Sequence, residues 1–256
     1  MKLPYLVEIV AKTNAIGSLD FMSESPDALK FLQKVDLSTN KITVLPHIQC
    51  ANLYKLILDE NEIAKSELKS HQNLKELSLK KNKLTTCEGI ERMYSLHTLN
   101  LEENEIASLK GLSVLPKLTS LNLKTNKLEK LDEFPRLEML ETLELDANLM
   151  ATGAELPKLA ETRTLKALSM AGNPWVDEKG DDFKKELLFA LGEHLPLLRV
   201  INGEEPEAES WAELQQAVKD LKEERRIAAE EAAKAAEEAA KNPPPADGEA
   251  PAEDAE

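Results

Sequence analysis

Asparagine recurs in this chain at one place in a fixed apolar frame: Asn40, Asn61, Asn82, Asn104, Asn126, Asn148 and Asn173 follow one another at steps of 21, 21, 22, 22, 22 and 25 residues. Around each runs the pattern Leu-x-x-Leu-x-Leu-x-x-Asn-x-Leu, as in Leu96, Leu99, Leu101, Asn104 and Ile106, then Leu118, Leu121, Leu123, Asn126 and Leu128. Repetition on this scale confines the chain to architectures made by stacking one unit. The Leu-x-Leu portion reads as a short strand whose alternate side chains face opposite ways, leucines inward and the residues between them outward. No single unit encloses its own leucines, so neighbouring units share one core and their strands form one parallel sheet. About 22 residues leave no room for a full helix between strands, and turns or short 3₁₀ segments are expected on the convex side. The fold class is an α/β repeat solenoid with a concave parallel sheet.

The asparagines are expected to be structural. Each stands where the chain turns away from its strand, and its short amide can bond backbone groups of its own or the next repeat that would otherwise be buried unpaired. Residues 1–30, with Leu6, Ile9, Ala11, Asn14 and Ile16 on the same template, read as an N-terminal capping repeat, and residues 31–175 as the repeats proper. Residues 176–203 read as a C-terminal cap, because Phe183, Leu187, Leu188 and Leu191 follow a helical period. Residues 204–241 turn to Ala, Glu, Lys and Arg and read as a long helix, which Asn242 and Pro243–Pro245 end. Residues 242–256 are an acidic, Pro- and Ala-rich tail expected to be disordered.

The formal charge is −15, and from Gly203 onward acids outnumber bases 17 to 6, so the repeat body is close to neutral. No basic stripe with interleaved aromatics is present to meet nucleic acid. No apolar run approaches a membrane span, and Glu8 and Lys12 interrupt the first residues where a secretory signal would be unbroken, which points to a cytoplasmic chain. His47, His71, His97 and His194 lie in different units, Cys50 and Cys87 are the only cysteines, and neither metal-binding spacings nor a phosphate loop nor a nucleophile elbow occurs. No catalytic residue, cofactor, metal or small-molecule substrate is expected, and the chain is read as non-enzymatic.

The outward strand positions are the expected binding surface for other proteins, since the concave sheet of a solenoid is large and rigid. Two residues before the successive asparagines stand Ser38, Asp59, Lys80, Glu102, Lys124 and Asp146, alternating in sign from Asp59 onward. Lys55, Ile57, Asp59, Lys80, Glu102, Lys124 and Asp146 are therefore the candidate partner-binding residues of the concave face. Self-neutralisation between neighbouring repeats is the plainer reading of the same column. A second candidate is the stripe Trp211, Leu214, Val218 and Leu221 on the long helix, which either docks on the cap or lies in a groove of another protein.

The 21- to 22-residue units and the Leu195-Pro196-Leu197-Leu198 ending resemble the intracellular leucine-rich-repeat proteins. That class includes a regulatory subunit of protein phosphatase type one, an outer-arm dynein light chain and a spliceosomal subunit. The resemblance implies a leucine-rich-repeat horseshoe with a helical C-terminal cap. The end of the chain carries a narrower likeness: Asn173-Pro174, Asp177-Glu178, the Leu-Pro-Leu-Leu strand and the helix with Leu221-Lys222-Glu223-Glu224 are similar to the leucine-rich-repeat subunits of the ciliary radial spoke. Ile201-Asn202 departs from the Leu-Asp pair usual there. The resemblance implies a structural subunit of the axoneme of motile cilia or flagella, held by other radial-spoke subunits. The alternatives it carries are a phosphatase regulatory subunit and a dynein-associated light chain.

Overall fold

The computed structural model describes residues 5–24, 26–68, 71–132, 134–192, 194–205 and 207–241. Its elements in chain order are β1 (Glu8–Val10), α1 (Asp20–Glu24), β2 (Lys34–Asp36), β3 (Val44–Leu45), β4 (Lys55–Ile57), β5 (Lys65–Ser66), β6 (Glu76–Ser78), β7 (Thr98–Asn100) and β8 (Ser120–Asn122). There follow β9 (Thr142–Glu144), β10 (Ala167–Ser169), α2 (Pro174–Lys179), α3 (Phe183–Leu191), β11 (Val200–Ile201) and α4 (Ala208–Lys241). Nine of these strands form one parallel sheet in the order β1-β2-β4-β6-β7-β8-β9-β10-β11, as the repeat step requires. Pairing is in register: Leu77 lies opposite Leu99, Leu99 opposite Leu121 and Leu121 opposite Leu143. Each of these central leucines is buried while the residues on either side face the concave surface, which is the period-2 alternation applied strand by strand.

The core runs the whole length of the stack as one body of leucines, from Leu19 and Met22 under β1 to Leu187, Leu191 and Ile201 at the cap. Beside it stand the seven asparagines of the repeats, all buried, from Asn173 at 0% to Asn40 at 8% exposure. Asn104 shows how each is held. Its Nδ2 donates to Leu101 O of its own repeat at 3.0 Å and to Leu79 O of the preceding one at 2.9 Å, and its Oδ1 accepts from Leu84 N–H at 3.1 Å. The same three bonds recur at Asn61, Asn82, Asn126, Asn148 and Asn173. The sequence suggested bonds to the asparagine's own or the next repeat; the carboxamides bond their own repeat and reach back to the preceding one instead of the next. The reason lies one residue upstream. Thr39, Glu60, Lys81, Glu103, Thr125 and Ala147, each just before an asparagine, take left-handed φ values of 51–57°, and this turn points the side chain backward along the stack.

The convex side is more extended than turns and 3₁₀ segments alone. In the early repeats β3 pairs with β5, and Thr86 bridges Ser108. A 3₁₀ segment, Gly153–Glu161, appears in the 25-residue repeat, where the extra residues have to be taken up. Adjacent backbones come close enough on this side to need glycine: at Gly89, φ +87°, an added Cβ would lie 1.9 Å from Ser66 O.

At the C-terminal end α3 and α4 close the stack. Trp175 meets Phe183 edge to face at 5.2 Å, with Gly153 directly against the indole. Helix α4 lays Trp211, Leu214 and Val218 on the core, and Arg225 sits 4.1 Å over the Phe189 ring while bonding both oxygens of Glu186 at 3.1 and 3.2 Å. Beyond that point α4 runs clear of the solenoid, with Ile227 45% exposed. The acidic tail, residues 242–256, lies outside the described residues.

Candidate protein-binding face

The concave sheet offers outward columns of side chains that the core does not use. In its centre, on β7 and β8, they are small and uncharged, Thr98, Asn100, Ser120 and Asn122, and Ser78 of β6 and Thr142 of β9 extend this trough to either side, where Glu76 and Glu144 complete the outward positions. At about 4.8 Å between strands this trough is roughly 15 Å long. No outward position of the nine strands is aromatic.

The charged column lies along one rim of the trough, and its residues divide into two kinds. Lys80 and Lys124 stand at the surface and pair forward, toward the C-terminal end. Lys80 Nζ is 2.8 Å from Glu102 and 3.3 Å from Glu103, and Lys124 Nζ is 2.7 Å from Glu144 and 3.4 Å from Asp146. Both ammonium pKa values rise above the ordinary 10.5, Lys80 through its hydrogen bond to Glu102 and Lys124 through its bond to Glu144. Among the described residues Glu102 and Lys124, neighbours of opposite sign, do not pair with each other, and the second oxygen of Glu102 accepts from the amide of Asn122 at 3.2 Å. The alternation in sequence is therefore grouped into two small networks. Lys55, nearer the N-terminus, pairs with Glu76 at 2.5 Å beside half-buried Ile57. Such exposed pairs contribute at most about 1 kcal/mol each.

Asp59 and Asp146 belong to the other kind. Asp59 Oδ1 accepts Lys80 N–H at 3.0 Å and the Ser78 hydroxyl at 2.5 Å, and Asp146 Oδ1 accepts Ala171 N–H at 2.9 Å and the Ser169 hydroxyl. In other repeats the same backbone N–H is capped from within: Asp36 bonds Ser38 N–H, Asn100 bonds Glu102 N–H, and Asn122 bonds Lys124 N–H. The rule is physical. Where the third strand residue is Asp or Asn, its side chain reaches its own repeat's N–H. Where it is Ser, too short to do so, an aspartate of the preceding repeat bonds both the hydroxyl and the N–H. Burial pushes the Asp59 carboxyl above its ordinary 3.8, and the bonds to Ser78 and Lys80 only partly offset this. This second ladder was missed in the sequence, although the pairs Asp59 with Ser78 and Asp146 with Ser169 were a signal for it.

Three of the four helix candidates, Trp211, Leu214 and Val218, pack on the core at the cap, and Leu221 follows them along α4. Val218 is buried, Trp211, Leu214 and Leu221 are half-buried, and all line one side of α4. Cys87 is fully buried, which pushes its thiol up to about 12, and Cys50 is also buried with its thiol raised by burial, so both stay protonated at neutral pH. Among the described residues no three His, Cys, Asp or Glu side chains gather as metal ligands, and no helix is long and apolar enough to cross a membrane.

Comparison with known proteins agrees with this geometry. Residues 94–136 match a family model described as leucine-rich repeats in two copies. No curated protein matches the chain. Among solved structures it is similar to an internalin from Listeria monocytogenes, with a TM-score of 0.57 and 19% identity over 78% of this chain and 61% of that one. It is also similar to a leucine-rich-repeat protein from Leptospira interrogans, with a TM-score of 0.53 and 24% identity over 76% of this chain and 54% of that one. The chain thus spans little more than half the length of these structures. At such identities the likeness establishes the fold: a leucine-rich-repeat horseshoe.

Proposed function

We propose that this chain is a non-enzymatic protein–protein interaction scaffold whose concave sheet holds a segment of another protein. The observation that carries the reading is the trough from Ser78 to Thr142. It is rigid because strands β6, β7 and β8 are each fixed by two polar ladders, and its small side chains let a partner's backbone or helix approach closely. Its rim of paired charges gives orientation more than affinity, since a partner exchanges ion pairs that the face already makes internally.

The partner class that the sequence supports best is a subunit of the radial spoke in the axoneme of motile cilia. The support is the likeness of residues 173–224 to leucine-rich repeat-containing protein 23, and the projecting half of α4 offers a second tether. Regulation of a phosphatase is less well supported, because the concave face has almost no aromatic side chains, Tyr54 beside β4 lining its N-terminal part, and aromatic anchors dominate tight interfaces. The test is to isolate cilia from the source cell, identify the protein by mass spectrometry, and extract axonemes carrying Lys80→Glu, Glu102→Lys or Lys124→Glu. Retention of the wild-type chain and its loss on charge reversal, with unchanged thermal unfolding, is the expected result. Absence from axonemes removes the radial-spoke reading. Retention of all three variants removes the concave rim as the attachment surface.

A further inference from the structure

Docking of α4 on the cap leaves a groove of about 270 Å³ between the two, on the side of the molecule away from the trough. Its floor is apolar, made by Leu188, Leu195 and Leu198 of the cap with Trp211 and Val218 of α4. Its charged lining residues are all basic: Arg199, Lys219 and Lys222. In a chain of net charge −15, whose helix alone alternates acids and bases, a groove lined by cations and by no carboxylate is a departure from the surrounding surface. The Arg199 guanidinium is held in place by the carbonyl oxygens of Leu198 at 2.8 Å and Pro196 at 3.2 Å, which orient it without neutralising it. Lys219 is exposed and makes no ion pair among the described residues. Trp211 is half-buried in the wall, so one part of the indole packs on the core and the rest faces the groove. An amphipathic aromatic ring flanked by cations is the arrangement that anchors short peptide motifs in interfaces.

We propose that this groove is a docking site for an acidic peptide segment of another protein, which inserts one aliphatic side chain against Trp211 and Val218 while its carboxylates meet Arg199 and Lys219. The occupant follows from charge complementarity together with the lining: cations select carboxylates, and a lining dominated by leucines, Val218 and Trp211, with Gln215 as its neutral polar side chain, selects an apolar anchor. The volume suits one leucine-sized side chain with part of its backbone rather than a helix. The site is separate from the concave face, and its success or failure leaves the reading of that face untouched.

Tryptophan emission of the full chain reports on the site, because Trp175 is buried at 6% exposure and Trp211 lines the groove. The probe is an acetylated, amidated heptapeptide of glutamate and aspartate with a single central leucine. The expected result is a saturable emission change that is lost in Trp211→Phe. Affinity should fall about tenfold in Lys219→Glu, about tenfold when the peptide leucine becomes serine, and several-fold when salt is raised from low to high. Lys219→Arg should bind as the parent does. The proposal is overturned by an absent response at millimolar peptide, by equal affinity for the lysine-substituted peptide, or by unchanged affinity in Lys219→Glu. It is also overturned if removal of residues 242–256 tightens peptide binding more than tenfold, since the groove would then be the seat of the chain's own acidic end.

Discussion

At the scale of single residues, stability rests on side chains that satisfy buried backbone groups. Asn104→Leu leaves Leu84 N–H without a partner in the middle of the stack and takes one bond each from Leu79 O, which Asn82 still holds, and Leu101 O, which Asn126 still holds. A buried unsatisfied group costs about 1–3 kcal/mol, so the substitution should cost about 2 kcal/mol or more, measured by denaturant unfolding. Lys80→Ala, which breaks only exposed pairs, should cost less than about 1 kcal/mol in the same assay. Similar losses in the two variants would mean that the ladder is not what holds the repeats. His71 adds a pH dependence. It is buried, its Nδ1 accepts Leu74 N–H at 3.2 Å, and burial lowers its pKa below the ordinary 6.5. The unfolded chain therefore takes up a proton at pH values between the two pKa values while the folded chain does not, and stability falls as pH drops below about 6.5. His71→Gln should flatten that slope between pH 7.5 and 5.5; an unchanged slope would assign it to other groups. The asparagines were legible in the sequence because one position carries their whole role. The caps from Asp59 and Asp146 were not, because they depend on which residue of the next repeat lies alongside, and that register appears only when the units are stacked.

At the scale of elements, strand positions followed directly from the leucine spacing, while the convex side did not. Whether a 21-residue unit crosses that side as a turn or as a bridge such as β3 with β5 is decided by backbone contact between neighbours, as at Gly89. Gly89→Ala forces a Cβ to 1.9 Å from Ser66 O at a positive φ, so it should destabilise the chain by several kcal/mol, whereas Gly180→Ala, with nothing within 4 Å, should cost only the backbone strain of its φ +52°, ψ −124° conformation, about 1–3 kcal/mol. The ordering of the two thermal midpoints checks this. Helix α4 was legible as an amphipathic helix through Trp211, Leu214, Val218 and Leu221, and the structure selects docking on the cap. What the sequence did not indicate is the latch of Arg225 on Phe189 and Glu186 of α3, the latter 39 residues before it in the chain. Val218→Asp places a carboxylate in that interface, and amide exchange over residues 208–225 should accelerate while exchange in β6 to β9 stays slow. Equal acceleration in both would show that cap and repeats unfold as one unit.

At the scale of the whole molecule, a neutral repeat body, a polar trough and a projecting helix describe a chain whose work is done by its shape. The solenoid was legible from the asparagine period alone, since repeats that share a core have one way to stack. The partner was not, because the residues that would touch it are those the fold leaves free to vary. The central claim is that the concave trough, and not the convex side, is where another protein sits. Photo-crosslinking from a benzophenone amino acid placed at Ser120, in the trough, compared with Lys130, on the convex side, in extracts of the source cell tests it most directly. One discrete adduct from position 120 and none from position 130 is the result expected. An adduct from position 130 alone, or adducts from neither position while the chain still co-purifies with a partner, would contradict it.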